Sequence, residues 1–328
     1  MAKDPARNVV LARAARRLKI LGIVVIGLAV AALAVYLIAP RVVLDGAIAW
    51  QKWRDGLHEE TLQVGDTRWV YLAGGKKDGP PLVLLHGYGG SYADWLLAAR
   101  YLTGNFRVII PDLPGWGAST RLPNVDYGYA AQVDRLHGFV EGLHLGEVAL
   151  AGHSMGGAIA GLYAAKYPKD VAALILIDSA GVRFKKSAFV RELEAGRSPF
   201  DIDDRAGFQH LESLLFAKPP SVPPRIQDVF VERSKQNRGF RDKVMRAITA
   251  PDARFALEPK LADITAPTLA IWCMQDAIID PSALDAIRKG LTHSPDIGIT
   301  ELRGCGHMSI MEKPHEVARA ITHFVLLP

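Results

Sequence analysis

Only two cysteines occur in 328 residues, no Cys-x-x-Cys pair is present, and the ten histidines are scattered rather than clustered. Nothing in that pattern has the spacing of a metal site. No internal repeat, low-complexity tract or dinucleotide-binding glycine fingerprint interrupts the chain. Charge of one sign is also scarce outside a single place. The net charge is +5, but the excess gathers at the N-terminus, where Lys3, Arg7, Arg13, Arg16, Arg17 and Lys19 face only Asp4. Nucleic acid is therefore not indicated as a partner. What remains, 49% hydrophobic and 22% charged, is a folding chain with enough length for one large core or two smaller ones.

The longest hydrophobic run, Ile20 to Ala39, carries no charge. At about 1.5 Å per residue it matches a hydrocarbon thickness of roughly 30 Å, so residues 20–40 are expected to anchor the chain in a membrane. A cleaved signal peptide with Ala47-Ile48-Ala49 as cleavage site is the competing reading. Its apolar region would exceed the usual length of about 7 to 15 residues, and Pro40 and Arg41 precede the site. Basic residues crowd the 1–19 tail, which the positive-inside rule places in the cytoplasm. The remainder is then expected outside it, in the periplasm if the source is bacterial. Residues 41–59 read as an amphipathic connector, with Trp50 and Trp53 either at the membrane interface or packed on the globular part.

From residue 60 the period becomes that of strands. Thr61–Val64 and Arg68–Ala73 flank a Gly65-Asp66 turn, and apolar strands follow at Pro81–Leu85 and Val108–Ile110. Helical patterns at Ala93–Tyr101 and Ala130–Leu143 alternate with them, and Val148–Ala151 and Ala172–Ile177 add two more strands. The alternation predicts an α/β fold with a mostly parallel sheet flanked by helices. It stops near Gly181. Residues 182–250 carry proline pairs and helical stretches at Phe208–Phe216 and Gln236–Ile248, which predicts a helical cap inserted between core segments 60–181 and 251–328. Strands at Thr268–Trp272 and Ile297–Leu302 and helices at Pro281–Leu291 and Pro314–Phe324 close the second segment.

The central strand ends in Gly152-His153-Ser154-Met155-Gly156-Gly157, and a small-residue helix follows at once. Gly-x-Ser-x-Gly at a strand-to-helix turn is the pattern of a nucleophile elbow, which lifts the serine hydroxyl above the sheet. A serine hydroxyl is a weak nucleophile and needs a histidine to take its proton and an acid to orient that histidine. In the chain order serine, acid, histidine, the candidates are Ser154, Asp276 and His307, the last two in loops after successive strands. Both loops open where parallel strands end, the edge at which such sheets bind ligands. Asp178 is the alternative acid. Asp280 reads as a helix cap, His153 as a packing residue, and His293, His315 and His323 as surface or helix residues. Oxyanion donors are expected from the backbone N–H groups of Met155 and of Tyr88, in the loop His86-Gly87-Tyr88-Gly89-Gly90. Cys273 and Cys305 lie on the loops of Asp276 and His307. Partly buried free thiols are the first reading; a bridge that pins those loops, if the domain faces an oxidising compartment, is the alternative.

These motifs, with Asp112-Leu113-Pro114-Gly115-Trp116-Gly117 and with Gly306-His307 ahead of Glu312-Lys313-Pro314, resemble those of the α/β-hydrolase superfamily from about Glu60 to the C-terminus. Within it the chain is most similar to membrane-anchored monoacylglycerol lipases and related bacterial lipases and esterases. Cys273 stands where such lipases usually carry glycine. The resemblance implies Ser154 as nucleophile, Asp276 as acid, His307 as base, Tyr88 and Met155 as oxyanion donors, no cofactor, and hydrolysis of a lipid-derived ester through an acyl-enzyme. Serine at the elbow excludes the aspartate-dependent dehalogenase and epoxide hydrolase chemistries of the superfamily. Carbon–carbon or small-amide hydrolysis on the same site, and a non-catalytic binding protein on a hydrolase scaffold, remain as alternatives.

Overall fold

The structure is a computed structural model that describes residues 5–327. Residues 1–4 of the basic tail lie outside the described residues, and the rest of that tail is helical. Helix α1 (Pro5–Ile38) runs without interruption into the apolar stretch. Among the described residues, one helix segment is long and apolar enough to cross a membrane: Arg16–Ile38, with mean hydropathy 2.8 and none of it buried. Ala39 leaves helical geometry, and Pro40 opens α2 (Pro40–Arg54) at the position where a missing N–H costs nothing. The expected connector is thus mostly a second helix. Its Trp50 and Trp53 are 56% and 77% exposed, so neither indole is buried in the globular part.

After α2, β1 (Leu57–Val64) and β2 (Thr67–Gly75) form an antiparallel hairpin. The hairpin is longer than its sequence pattern indicates, because β1 is an edge strand whose His58-Glu59-Glu60 face water instead of alternating. There follow β3 (Pro81–Leu85), α3 (Leu96–Ala99), β4 (Arg107–Pro111), α4 (Tyr129–Gly142), β5 (Val148–His153), α5 (Met155–Lys166) and β6 (Val171–Ile177). The next three helices, α6 (Ala188–Glu194), α7 (Arg205–Leu215) and α8 (Pro224–Thr249), carry no strand between them. Core elements resume with β7 (Thr268–Cys273), α9 (Ala283–Gly290), β8 (Ile297–Leu302), α10 (Ser309–Glu312) and α11 (Pro314–Leu326). Helix α8 is twice the expected length because the proline pair Pro223-Pro224 stands at its start instead of in a loop ahead of it.

The eight strands form one sheet in the order β1-β2-β4-β3-β5-β6-β7-β8, and every pair from β4 to β8 is parallel. Alternate side chains of the central strands serve opposite faces. Val148 and Leu150 pack with α4 and α5, whereas Ala149 and Ala151 pack with α3 and α11. The largely apolar composition of β3, β5 and β7 follows from this two-sided burial. Because β5 is central, its carboxyl end lies at the middle of the sheet edge.

Candidate active site

At that edge the chain turns sharply. Ser154 has φ 55° and ψ −119°, a left-handed conformation that a side chain rarely adopts. Two neighbours must lack side chains for the turn to close. A Cβ on Gly152 would stand 2.1 Å from the Gly156 oxygen, and one on Gly156 would stand 2.6 Å from the His86 oxygen. The strain is held by main-chain bonds: Ser154 N–H donates to Ile177 O at 2.9 Å, and Ala180 N–H donates to Ser154 O at 3.0 Å.

The loop after β7 turns back through Asp276, whose Oδ1 accepts the N–H groups of Ile278 (2.8 Å) and Ile279 (3.0 Å). Its other oxygen, Oδ2, accepts from Nδ1 of His307 at 2.8 Å, and Nε2 of His307 lies 2.9 Å from Ser154 Oγ. The structure therefore brings Ser154, His307 and Asp276 into one hydrogen-bonded line, although they are separated by 153 and 31 residues. His307 is 3% exposed and Asp276 6%. Burial pushes the His307 imidazole down to about 3, so the ring rests neutral with Nε2 free to accept a proton. Burial raises the Asp276 carboxyl, while the Ile279 and Ile278 N–H groups oppose that shift. Both of its oxygens meet N–H donors, and the ionised form satisfies all three.

Two further candidates converge on the serine. Met155 opens α5, in the turn where helical N–H groups have no partner within the helix. Gly87, beside Tyr88, lies so close that a Cβ on it would stand 3.1 Å from the Ser154 Cβ. Among the described residues, neither the Met155 nor the Tyr88 N–H has a hydrogen-bond acceptor. The Tyr88 loop is fixed from below. His86 Nδ1–H donates to Gly87 O at 2.8 Å, and its Nε2 accepts the Leu113 N–H at 3.0 Å. Asp112 in turn accepts the N–H groups of Tyr92 and Ala118, both at 2.7 Å, and a Cβ on Gly117 would collide with its carboxylate. From above, the Tyr88 ring packs on Trp116 and on Phe200 of the helical insertion.

The other sequence candidates have different surroundings. Asp178, also left-handed at φ 44°, accepts the Cys273 N–H at 2.8 Å and the Ser309 hydroxyl at 2.5 Å; it bonds no histidine ring. Burial and then the Asp276 charge raise its carboxyl. Asp280 caps the turn before α9 by accepting the Ser282 N–H. His293 bonds Ala262 O, His315 is exposed beside Tyr101, and His323 lies on α11. His153 departs from its expected packing role, since its Nε2–H donates to His307 O at 2.7 Å. Cys273 and Cys305 are both fully buried and form a disulfide with Cα atoms 5.5 Å apart. Sequence reading placed Gln275 and Glu312 in motifs but missed their contacts: Gln275 accepts the Gly304 N–H, and Glu312 accepts the Gly306 N–H. Among the described residues, no three His, Cys, Asp or Glu side chains cluster as metal ligands.

An eight-stranded, mostly parallel sheet with a serine on a strained elbow and a histidine–aspartate pair behind it defines an α/β hydrolase. Residues 82–320 match the alpha/beta hydrolase family, and the chain belongs to it. It is 34% identical to Lipase 1 of Psychrobacter immobilis over 262 residues, covering 79% of this chain and 80% of that protein. It is 30% identical to the monoacylglycerol lipase ABHD6 of Rattus norvegicus over 293 residues, covering 83% and 84%. Among solved structures, a membrane phospholipase A described as a bacterial virulence factor superposes with a TM-score of 0.83 at 33% identity, covering 94% of this chain and 98% of that one.

Proposed function

We propose that this carboxylic ester hydrolase acts on monoacylglycerols or other lipid-derived esters through an acyl-enzyme on Ser154. The observation that carries the reading is the line Asp276–His307–Ser154, with bonds of 2.8 and 2.9 Å. Similarity to lipases, a monoacylglycerol lipase and a membrane phospholipase A supports the substrate class.

In the first half-reaction His307 Nε2 takes the Ser154 proton as Oγ attacks the ester carbonyl carbon. The oxygen that gains charge is stabilised by the Met155 and Tyr88 N–H groups. Asp276 keeps the proton of His307 on Nδ1 and stabilises the imidazolium. Collapse of the tetrahedral adduct breaks the bond to the leaving alkoxide, which leaves as the alcohol with the proton from Nε2. In the second half His307 deprotonates a water that attacks the acyl carbon; the bond to Ser154 Oγ then breaks, Nε2 returns the proton to Oγ, and the carboxylic acid leaves.

Residues 20–40 serve as the membrane anchor with the N-terminus cytoplasmic and residues 41–59 as the connector. Segments 60–181 and 251–328 form the catalytic core beneath a 182–250 cap. An apolar span without a single buried residue supports anchoring, and the buried disulfide supports an oxidising, extracytoplasmic setting for the catalytic part. The test is hydrolysis of p-nitrophenyl esters from acetate to palmitate and of monoacylglycerols by the detergent-solubilised full chain and by Ser154→Ala. Turnover of medium or long chains that vanishes in Ser154→Ala is the expected result. Activity surviving in Ser154→Ala would overturn the acyl-enzyme, and no ester turnover by the wild type would overturn the substrate class.

A further inference from the structure

The stretch Leu215–Lys218, where α7 ends, runs directly over the residue before His307. A Cβ on Gly306 would stand 2.8 Å from both the Ala217 nitrogen and the Leu215 oxygen, so only glycine lets the two chains approach this closely. Beside it, the Met308 N–H donates to Leu215 O at 3.0 Å. Glu312, at the end of α10, reaches into this contact. Its Oε2 accepts the Gly306 N–H at 2.6 Å and the Ala217 N–H at 3.2 Å, and its Oε1 accepts the Lys218 N–H at 2.9 Å. One carboxylate thus holds the histidine loop and the helical insertion together, across 94 and 95 residues of sequence. Bonds to a charged acceptor are roughly twice as strong as neutral ones.

Apart from the Met308 bond to Leu215, the other braces of the histidine loop come from the core. The Cys305 disulfide, Gln275 on the Gly304 N–H, His153 on the His307 carbonyl and Asp178 on the Ser309 hydroxyl all tie it to β5, β6 or β7 and the loops that follow them. Glu312 is different in that its carboxylate binds main-chain N–H groups of both the histidine loop and the insertion. If the insertion lifts, the carboxylate loses the Ala217 and Lys218 donors and Gly306 loses the chain packed on it.

We propose that Glu312 is a positioning residue that couples the seating of the helical insertion to the alignment of His307. The inference rests on the reading of His307 as general base. Seated, the insertion fixes Gly306 and keeps Nε2 within reach of Ser154; lifted, it releases the loop and slows proton transfer without altering any group that touches substrate.

Two single variants and their combination test it on the full chain in detergent. Glu312→Gln replaces one acceptor oxygen with an amide that repels an N–H. Lys218→Pro deletes one donor on the insertion side and leaves the histidine loop untouched. Turnover is expressed per serine titrated with a fluorophosphonate, so that misfolded protein drops out of the rate. Each variant is expected to lower kcat about tenfold with KM within twofold, and the double variant to fall less than the product of the two, as partners in one interaction do. Amide hydrogen exchange gives a readout independent of the chemistry: protection at 304–309 and at 215–218 should fall together in both variants. Wild-type turnover per titrated serine in Glu312→Gln, or exchange that rises at 215–218 alone, overturns the coupling. Ester hydrolysis persisting in Ser154→Ala removes the catalytic reading instead, and the exchange experiment still decides whether the two loops move together.

Discussion

His153 Nε2–H donates to the main-chain carbonyl of His307 at 2.7 Å, and the two rings lie 4.8 Å apart. The residue before the elbow serine therefore fixes the backbone of the histidine that faces that serine. His153 is 2% exposed, and burial pushes its imidazole down to about 3, which keeps the ring neutral with its proton on Nε2.

Replacing this anchor leaves a buried carbonyl without a donor. His153→Ala is expected to cost about 1–3 kcal/mol for the orphaned group, before any loss of packing, and to lower turnover per titrated serine. Urea unfolding midpoints and active-site titration measure the two effects separately; an unchanged kcat with lowered stability would assign His153 to the fold alone.

Asp276 and Asp178 are both buried acids at strand ends, yet their partners differ, and so should their variants. Asp276→Asn turns an acceptor into a donor toward Nδ1 and favours the wrong tautomer, with an expected loss in kcat on the order of 10⁴-fold by analogy with the same change in serine proteases. Asp178→Asn keeps a carbonyl for the Cys273 N–H and disturbs no ring. It should retain at least a tenth of wild-type turnover. Reversed magnitudes would reassign the acid.

The depressed basicity of His307 fixes the direction of one pH effect. A base works in its neutral form, and a folded-state value pushed below the ordinary 6.5 keeps it neutral further into acid. The acid limb of kcat/KM is therefore expected below pH 6.5, with activity lost as pH falls through the lowered value. A limb at or above 6.5 in the free enzyme would show that Asp276 outweighs burial.

The disulfide between Cys273 and Cys305 closes 32 residues of sequence, for which chain-entropy arguments give about 3–4 kcal/mol of stabilisation. Thiol counting on denatured, unreduced protein should find no free thiol. Cys305→Ser should lower the unfolding midpoint more than it lowers turnover per titrated serine, since Gln275, Glu312, His153 and Asp178 still brace the loop.

Local chemistry wrote much of this into the sequence. The glycines around Ser154 announce a turn that tolerates no side chain, and the two-sided apolar strands announce a covered parallel sheet. Chain order then placed Asp276 and His307 in the two loops that do meet Ser154. What escaped notice depends on distance along the chain: the His153 bond spans 154 residues and the Glu312 bonds to the insertion 94 and 95, and no local period encodes them. The first half of α8 was missed for the opposite reason, because a proline pair that breaks a helix interior also suits a helix start.

Helix α2 lies against α8, and the Arg225 N–H at the beginning of α8 reaches the Tyr36 hydroxyl, near the end of the apolar helix, at 3.4 Å. The longest helix of the insertion thus starts where the bilayer-compatible helix stops. A truncation that removes the first 40 residues deletes Tyr36, a neighbour of the insertion, as well as the apolar helix. Such a form loses the Tyr36 contact at the start of α8, so its insertion rests on fewer neighbours than in the full chain.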